Sequence, residues 1–151
     1  MKKSNLRIKQ ENSIDFHIRW SWFNISRMYN LQAESFGGSM SIGYALLNIG
    51  EEGIHSTKLA PKMGMEPRSL TRMIKSLEEN GLLTKEVDPT DKRLVRLMLT
   101  EEGKRKRDVA KSVVLKFNES VYSEIDEKDI ATTFKVLTKV NELIDSNKIY
   151  K

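Results

Sequence analysis

The sequence predicts a mainly α-helical fold with one small β-hairpin. Three observations carry that expectation. Apolar residues recur at three- and four-residue spacing in six separate stretches. One stretch alone, residues 82–99, places strand-like runs on both sides of a turn-forming "DPTD". The chain has 151 residues, 38% apolar and 31% charged, which suits one highly charged globular domain and not a disordered chain.

The first helix is expected between Ser13 and Phe36. Ile14, Ile18, Trp22, Ile25 and Tyr29 form one stripe, while Phe16, Trp20, Phe23, Met28 and Leu31 lie on other faces. One stripe suffices for a helix lying on a core, so this helix should be covered on several sides, as at an oligomer interface. Ser13 is its candidate cap and Gly37-Gly38 its stop. The second helix, in "SMSIGYALLNIGEEG", presents Ile42, Ala45, Leu46 and Ile49, with Ser39 or Ser41 as cap and Gly53 beyond its end. The third, in "HSTKLAPKMGM", presents Leu59, Ala60 and Met63 and closes at Gly64. Pro61 removes a backbone donor there, so that helix must be short or irregular.

The fourth helix, in "EPRSLTRMIKSLEENGLL", starts at Pro67 and stops at Gly81. Leu70, Ile74 and Leu77 face inward with Met73 at the edge; Arg68, Ser69, Thr71, Arg72, Lys75 and Ser76 face outward. Arg68, Arg72 and Lys75 are spaced to project together. "LLTKEV" and "RLVRLML" read as paired strands, with Val95, Leu97 and Leu99 alternating against Leu94, Arg96 and Met98. Thr100 should cap a long helix bearing Val109, Val113, Phe117 and Val121, with Glu101 and Glu102 at its positive end. Asp126 should cap a last helix bearing Ile130, Phe134, Leu137, Val140 and Ile144. The expected order is four helices, a hairpin and two helices, with no internal repeat.

Several classes of function are excluded or disfavoured. Without cysteine there is no disulfide, thiolate metal site or thiol nucleophile. His17 and His55 are the two histidines and lie far apart, so no metal site is expected. No nucleophile–base pair or glycine-rich phosphate loop is visible, so neither an enzyme nor a cofactor is expected. "MKKSNLRIKQENS" is basic but lacks the apolar run of a signal peptide, and no stretch approaches a membrane span. The expectation is a cytoplasmic protein without a membrane partner.

The charge is unevenly placed. Net charge is +5, and residues 56–107 alone carry thirteen basic against eight acidic side chains. A localised basic excess is the footprint of a polyanion partner, although ordinary surfaces also show it. Two short helices followed by a hairpin form a winged helix-turn-helix. In such a unit the second helix, here 67–80, enters the major groove of double-stranded DNA. Arg68, Ser69, Thr71, Arg72 and Lys75 would contact base edges or phosphate. The hairpin tip, Asp91-Lys92-Arg93, would reach the adjacent minor groove. Asp91 repels phosphate, so its expected role is to fix the turn or orient Arg93. The alternative for Arg93 is a turn salt bridge with Asp88 or Asp91.

The run from "STKLAPKMGMEPRSLTRMIKSLEENGLL" through "DPTDKRLVRLMLTEEG" resembles the MarR family of bacterial transcription regulators over roughly residues 40–107. Asp91-x-Arg93 and the following Leu99-Thr100-x-x-Gly103 are the most specific part. The resemblance implies a homodimer on a pseudo-palindromic operator, joined through the first and the last two helices. It also implies a ligand pocket between the dimer and DNA-binding parts. The chain is then one domain, with dimerisation helices in 1–38 and 104–151 and the DNA-binding part in 39–103. Two positions depart from the family's pattern. His55 stands where a capping Thr or Ser is common, leaving Ser56 to cap, and Pro61 replaces a charged helix former.

His17, Trp20, Phe23 and Tyr44 could line a pocket for a small organic effector, or could be core or interface. Lys104-Arg105-Lys106-Arg107 reads equally as a phosphate anchor or a solvated face. Arg96 reads as a solvated strand residue or a phosphate contact. The functional expectation is a ligand-responsive transcription regulator, a repressor more readily than an activator, because repression needs only occupancy of a promoter. The competing expectation is a winged-helix protein–protein module that does not bind DNA.

Overall fold

A computed structural model describes residues 9–147 and 149–150. Most of the basic amino-terminal run discussed above, residues 1–8, lies outside them. The described helices are α1 (Ile14–Glu34), α2 (Met40–Ile49), α3 (Ser56–Met63), α4 (Pro67–Glu79), α5 (Glu101–Glu124) and α6 (Glu127–Asp145). Three strands, β1 (Ile54–His55), β2 (Leu83–Val87) and β3 (Val95–Leu99), form an antiparallel sheet in the order β1-β3-β2. The chain divides into two compact units, one ending at Lys111 and the other beginning at Ser112, with the boundary inside α5.

The first unit is built on the apolar stripes read from the sequence. Ala45, Leu46 and Ile49 of α2, Leu59, Ala60 and Met63 of α3, and Leu70, Ile74 and Leu77 of α4 are buried together. Leu83, Leu97 and Leu99 close the cluster from one face of the sheet, as the alternation requires. β2 and β3 pair in the register Leu83↔Leu99 to Val87↔Val95. β1 was not expected. It is two residues long, pairing Ile54 with Leu97 and His55 with Arg96, and so short a strand carries no period to detect.

The caps divide into those that work and those that do not. The Ser39 hydroxyl accepts from the Ile42 N–H at 3.3 Å and starts α2. Thr100 accepts from the Gly103 N–H at 3.0 Å and starts α5. Ser13 holds the cap position of α1, where its carbonyl accepts from the His17 N–H, but its hydroxyl donates to the Gln10 carbonyl at 2.9 Å and makes no cap bond. Ser56 does not cap α3 either: it lies inside the first turn, and His55 occupies the cap position without a side-chain cap bond. Asp126 holds the cap position of α6, where its backbone carbonyl accepts from Ile130 and its side chain takes no part. Pro61 sits within the eight-residue α3, which is short as its missing donor requires.

The described residues do not supply the covering expected for α1. No α1 residue is buried, and Trp20 is 59% exposed, with Trp22, Phe23 and Leu31 similarly bare. In the second unit Ile130 is the buried residue of α6, whereas Phe134 is 55% exposed and Leu137 and Ile144 are also open. Val109, Val113, Phe117 and Val121 are half-buried along α5.

α4, the hairpin and α5 are joined at one crossing. The Thr100 N–H donates to the Leu82 carbonyl at 3.1 Å, and the Thr100 hydroxyl donates to the Gly81 carbonyl at 2.6 Å. Gly103, in the first turn of α5, lies so close that a Cβ there would overlap the Leu82 carbonyl. Gly103→Ala should therefore destabilise the chain by roughly 1–3 kcal/mol, the usual range for overpacking. Denaturant unfolding measures this, and an unchanged midpoint would show that α5 can lift off Leu82 at no cost.

Candidate nucleic-acid interface

α4 separates its side chains cleanly. The buried Leu70, Ile74 and Leu77 lie on one side, and Arg68, Ser69, Thr71, Arg72, Lys75 and Ser76 are all exposed on the other. Arg68, Arg72 and Lys75 follow one another at four- and three-residue intervals and form one stripe. Among the described residues Arg68 and Arg72 have no ionic or hydrogen-bonding partner. Lys75 lies 3.7 Å from Glu79 in an exposed i,i+4 pair, which holds it weakly. The Thr71 hydroxyl donates to the Pro67 carbonyl at 3.0 Å, leaving its oxygen able to accept.

The hairpin turn is organised by two aspartates. Asp88 is 4% exposed, and its Oδ1 accepts from the Thr90 hydroxyl (2.6 Å), the Thr90 N–H (2.9 Å) and the Asp91 N–H (3.1 Å). Backbone bonds from Asp88 N–H to the Leu94 carbonyl and from Leu94 N–H to the Asp91 carbonyl complete the turn. Arg93 and Leu94 thus belong to the turn, and β3 begins only at Val95. Asp91 grips Arg93 three times: Oδ1 accepts from its backbone N–H (3.0 Å) and Nε (3.1 Å), and Oδ2 from Nη2 (3.2 Å). The Arg93 side chain is still 89% exposed. The alternative expected for Arg93, a turn salt bridge with Asp91, is present, and the guanidinium stays exposed within it. Lys92 is exposed beside it.

Electrostatics follow the geometry. The Thr90 hydroxyl and then the Thr90 and Asp91 N–H groups hold the Asp88 carboxyl well below the usual carboxylate range. Arg93 lowers that of Asp91.

Other expectations change. Arg96 is not a solvated strand residue: it is half-buried, donates to the Glu52 carbonyl at 3.2 Å, and approaches His55 and Asp88. His55, weighed in the sequence as a departure from the usual cap and as a metal ligand, has its Nε2 2.9 Å from Asp88 Oδ2. The basic run is internally engaged. Lys104 pairs with Glu101 (2.7 Å), Arg105 with Glu102, and Arg107 with Glu51 and Asp108 (2.8 Å each), while Lys106 donates to the Phe36 carbonyl at 3.3 Å. On α1, Trp20 stacks between Phe16 and Phe23, with centroids 6.4 and 5.9 Å away. His17 Nε2 is 2.7 Å from the Glu11 carbonyl. Tyr44 stands exposed on α2, and among the described residues no ring contact joins it to the other three. No described group of acidic, histidine or cysteine side chains is arranged to hold a metal ion.

Comparison with known proteins decides the family. The MarR family model matches residues 45–95, which run from α2 through the hairpin turn. An HTH-type transcriptional regulator of Bacillus subtilis, YwoH, is 31% identical over 108 residues, 70% of this chain and 77% of that protein. The chain belongs to the MarR family. A second Bacillus subtilis regulator of the HTH type, YhbI, is 28% identical over 89 residues, and that match spans only 58% of its length. The fold is that of solved MarR-family regulators. MepR of S. aureus, in its complex with DNA, superposes with a TM-score of 0.79 at 17% identity, covering 87% of this chain and 98% of that one. CouR of Rhodococcus jostii, bound to p-coumaroyl-CoA, gives 0.76 at 24% identity, covering 88% and 94%.

The lowered Asp88 value has a sign that can be measured. The stability this carboxylate contributes is fully present above the unfolded range, near pH ~3.9, and is lost as pH falls through the lowered folded value. Asp88→Asn should melt at a lower temperature than the parent at neutral pH, and the gap should narrow below about pH 4. A gap of constant size from pH 7 to pH 3 would mean that the ionised form is not what the turn holds.

Proposed function

We propose that this MarR-family chain is a homodimeric, sequence-specific regulator of transcription that binds double-stranded DNA through α4 and the hairpin. The observation that carries the reading is the stripe on α4. Two arginines, Arg68 and Arg72, stand exposed and, among the described residues, unpartnered, beside a wing whose Arg93 is exposed but already oriented by Asp91. Arginine held ready costs little ordering entropy on binding. Arg68, Ser69, Thr71, Arg72 and Lys75 would meet the major groove, and Lys92 and Arg93 the minor groove or its phosphates. The DNA-bound relative MepR supports the partner, and CouR bound to p-coumaroyl-CoA supports a small organic effector for this chain too. The relatives are regulators and not enzymes, and repression by occupancy is the simplest action. No described helix is long and apolar enough to cross a membrane, which accords with action on DNA in the cytoplasm.

Dimerisation is read from the bare faces. Trp20, Trp22 and Phe23 on α1, and Phe134 and Leu137 on α6, would be costly to leave in water. Residues 1–38 and 104–151 would then supply the interface. Deleting residues 126–151 should give an aggregating or unfolded chain, since an obligate interface resembles a core cut in half. A soluble, folded monomer in sedimentation would count against this reading.

The test of DNA binding is selection of bound sequences from random duplexes, followed by titration at several salt concentrations. Half-sites should be centred about 34 Å apart, one DNA turn. Arg72→Ala should lose roughly 1–3 kcal/mol and relax preference at one position per half-site. Arg93→Ala should instead weaken sites with A·T-rich flanks more than those with G·C-rich flanks. Capture of a protein partner by a chain that never retards duplex DNA would overturn the proposal.

A further inference from the structure

The two oxygens of Asp88 do different work. Oδ1 takes the three donors that shape the turn, which is all that a turn of this kind requires. Oδ2 faces away from the turn, 2.9 Å from His55 Nε2 and 3.6 Å from Arg96 Nη2. His55 belongs to β1 and occupies the cap position of α3, so this contact joins residues 33 positions apart. The His55 side chain is 19% exposed and that of Asp88 5%, so water competes little for the bond.

The proton between them can be placed. Asp88 is ionised, so a separation of 2.9 Å requires the hydrogen on His55 Nε2. That nitrogen then has no lone pair for Arg96, although Arg96 Nη2 lies 3.0 Å from it. Arg96 is held instead by the Glu52 carbonyl (3.2 Å) and by attraction to Asp88. The carboxylate is therefore clamped from β1 by histidine and from β3 by arginine. From Asp88 the bonding continues: Oδ1 fixes the Asp91 N–H, and Asp91 fixes the Arg93 guanidinium. An unbroken line of polar contacts runs from the start of α3 to the wing tip.

We propose that His55 is a positioning residue for the wing: acting through Asp88 and Asp91, it sets where Arg93 stands relative to α3 and α4. The assignment rests on the DNA-binding reading above. Wing and recognition helix must engage one duplex together, and a misplacement between them lowers affinity even when each contact residue is intact. β1 pairs through only two residues, so its backbone alone is a weak tie, and the side-chain bond supplies the missing constraint.

The experiment uses the full chain and the duplex that the wild type selects from random DNA. The variants are His55→Ala, His55→Gln, Arg93→Ala and the double variant His55→Ala/Arg93→Ala. His55→Ala should weaken binding by roughly tenfold, as loss of a charge-assisted hydrogen bond would. It should also reduce the preference for A·T-rich flanks, as Arg93→Ala does, and leave preference at the half-site bases unchanged. The double variant should bind no more weakly than the weaker single, because both changes disable the same contact. His55→Gln places an amide N–H near the position of Nε2 and should recover most of the affinity. Additive losses in the cycle, wild-type binding by His55→Ala, or a Gln variant no better than Ala would each overturn the proposal. Hydrogen exchange at the Thr90 and Asp91 amides of the free chain separates this inference from the reading beneath it. Faster exchange in His55→Ala, restored in His55→Gln, is expected whether or not DNA is bound, and unchanged exchange would overturn the proposal on its own. Failure of the wild type to bind any duplex, with that exchange pattern intact, would instead reject the DNA-binding reading.

Discussion

The structure of the first unit depends on what happens at Thr100. One hydroxyl caps α5 by accepting from Gly103 and donates to the Gly81 carbonyl, where the chain leaves α4. The same residue's N–H reaches Leu82, where the chain enters the hairpin. Three elements with different functions are thereby referred to one point. If this junction slipped, the outward stripe of α4 would no longer keep its relation to β2 and β3, and α5 would start in a different place. Buried leucines alone do not provide that precision, because apolar contact is nearly indifferent to small rotations whereas hydrogen bonds are not. The absence of a Cβ at Gly103 lets α5 come close enough for the bonds to form.

A comparable division of labour governs the wing. The tip carries Lys92 and Arg93, but nearby Asp88 and Asp91 cancel their charge in a simple count. The geometry shows why a count misleads. Asp88 is buried and consumed by the turn, and Asp91 is consumed by Arg93, whose side chain remains open. The acids therefore act as local braces: Asp88 holds the turn and Asp91 orients Arg93. The basic run at residues 104–107 is the converse: four cations that look available in the sequence are each tied to an acid or a carbonyl. Arg68 and Arg72 are cations of another kind, exposed and, among the described residues, uncommitted.

Legibility in the sequence followed the range of the interaction. The stripes Ala45/Leu46/Ile49 and Leu70/Ile74/Leu77 were readable because helical period reports burial directly, and all six are in the core. Thr100 was readable because a capping residue acts within one turn. Ser13 and Ser56 show the limit of that rule: each had a suitable hydroxyl, and local geometry pointed it elsewhere or placed it inside the helix. β1 could not be read, since two residues have no period. The partnership of His55, Asp88 and Arg96 could not be read either, because it is set by the pairing of β1 with β3 and not by spacing along the chain. That is why Arg96 looked solvated. The covering of α1 illustrates a different gap: an apolar face announces that something lies against it without saying whose surface that is.

The strand order also bears on how the sheet meets other chains. With β3 central, β2 is an edge strand among the described residues, and its backbone groups could template an incoming strand. Its length is five residues, and Lys85 and Glu86 put charge along the exposed part. Lys85 is further tied to Glu78 of α4 at 2.6 Å, which keeps a cation beside that edge. Short length and edge charge are the usual guards against strand-by-strand stacking. The hairpin is thereby a poor seed for aggregation.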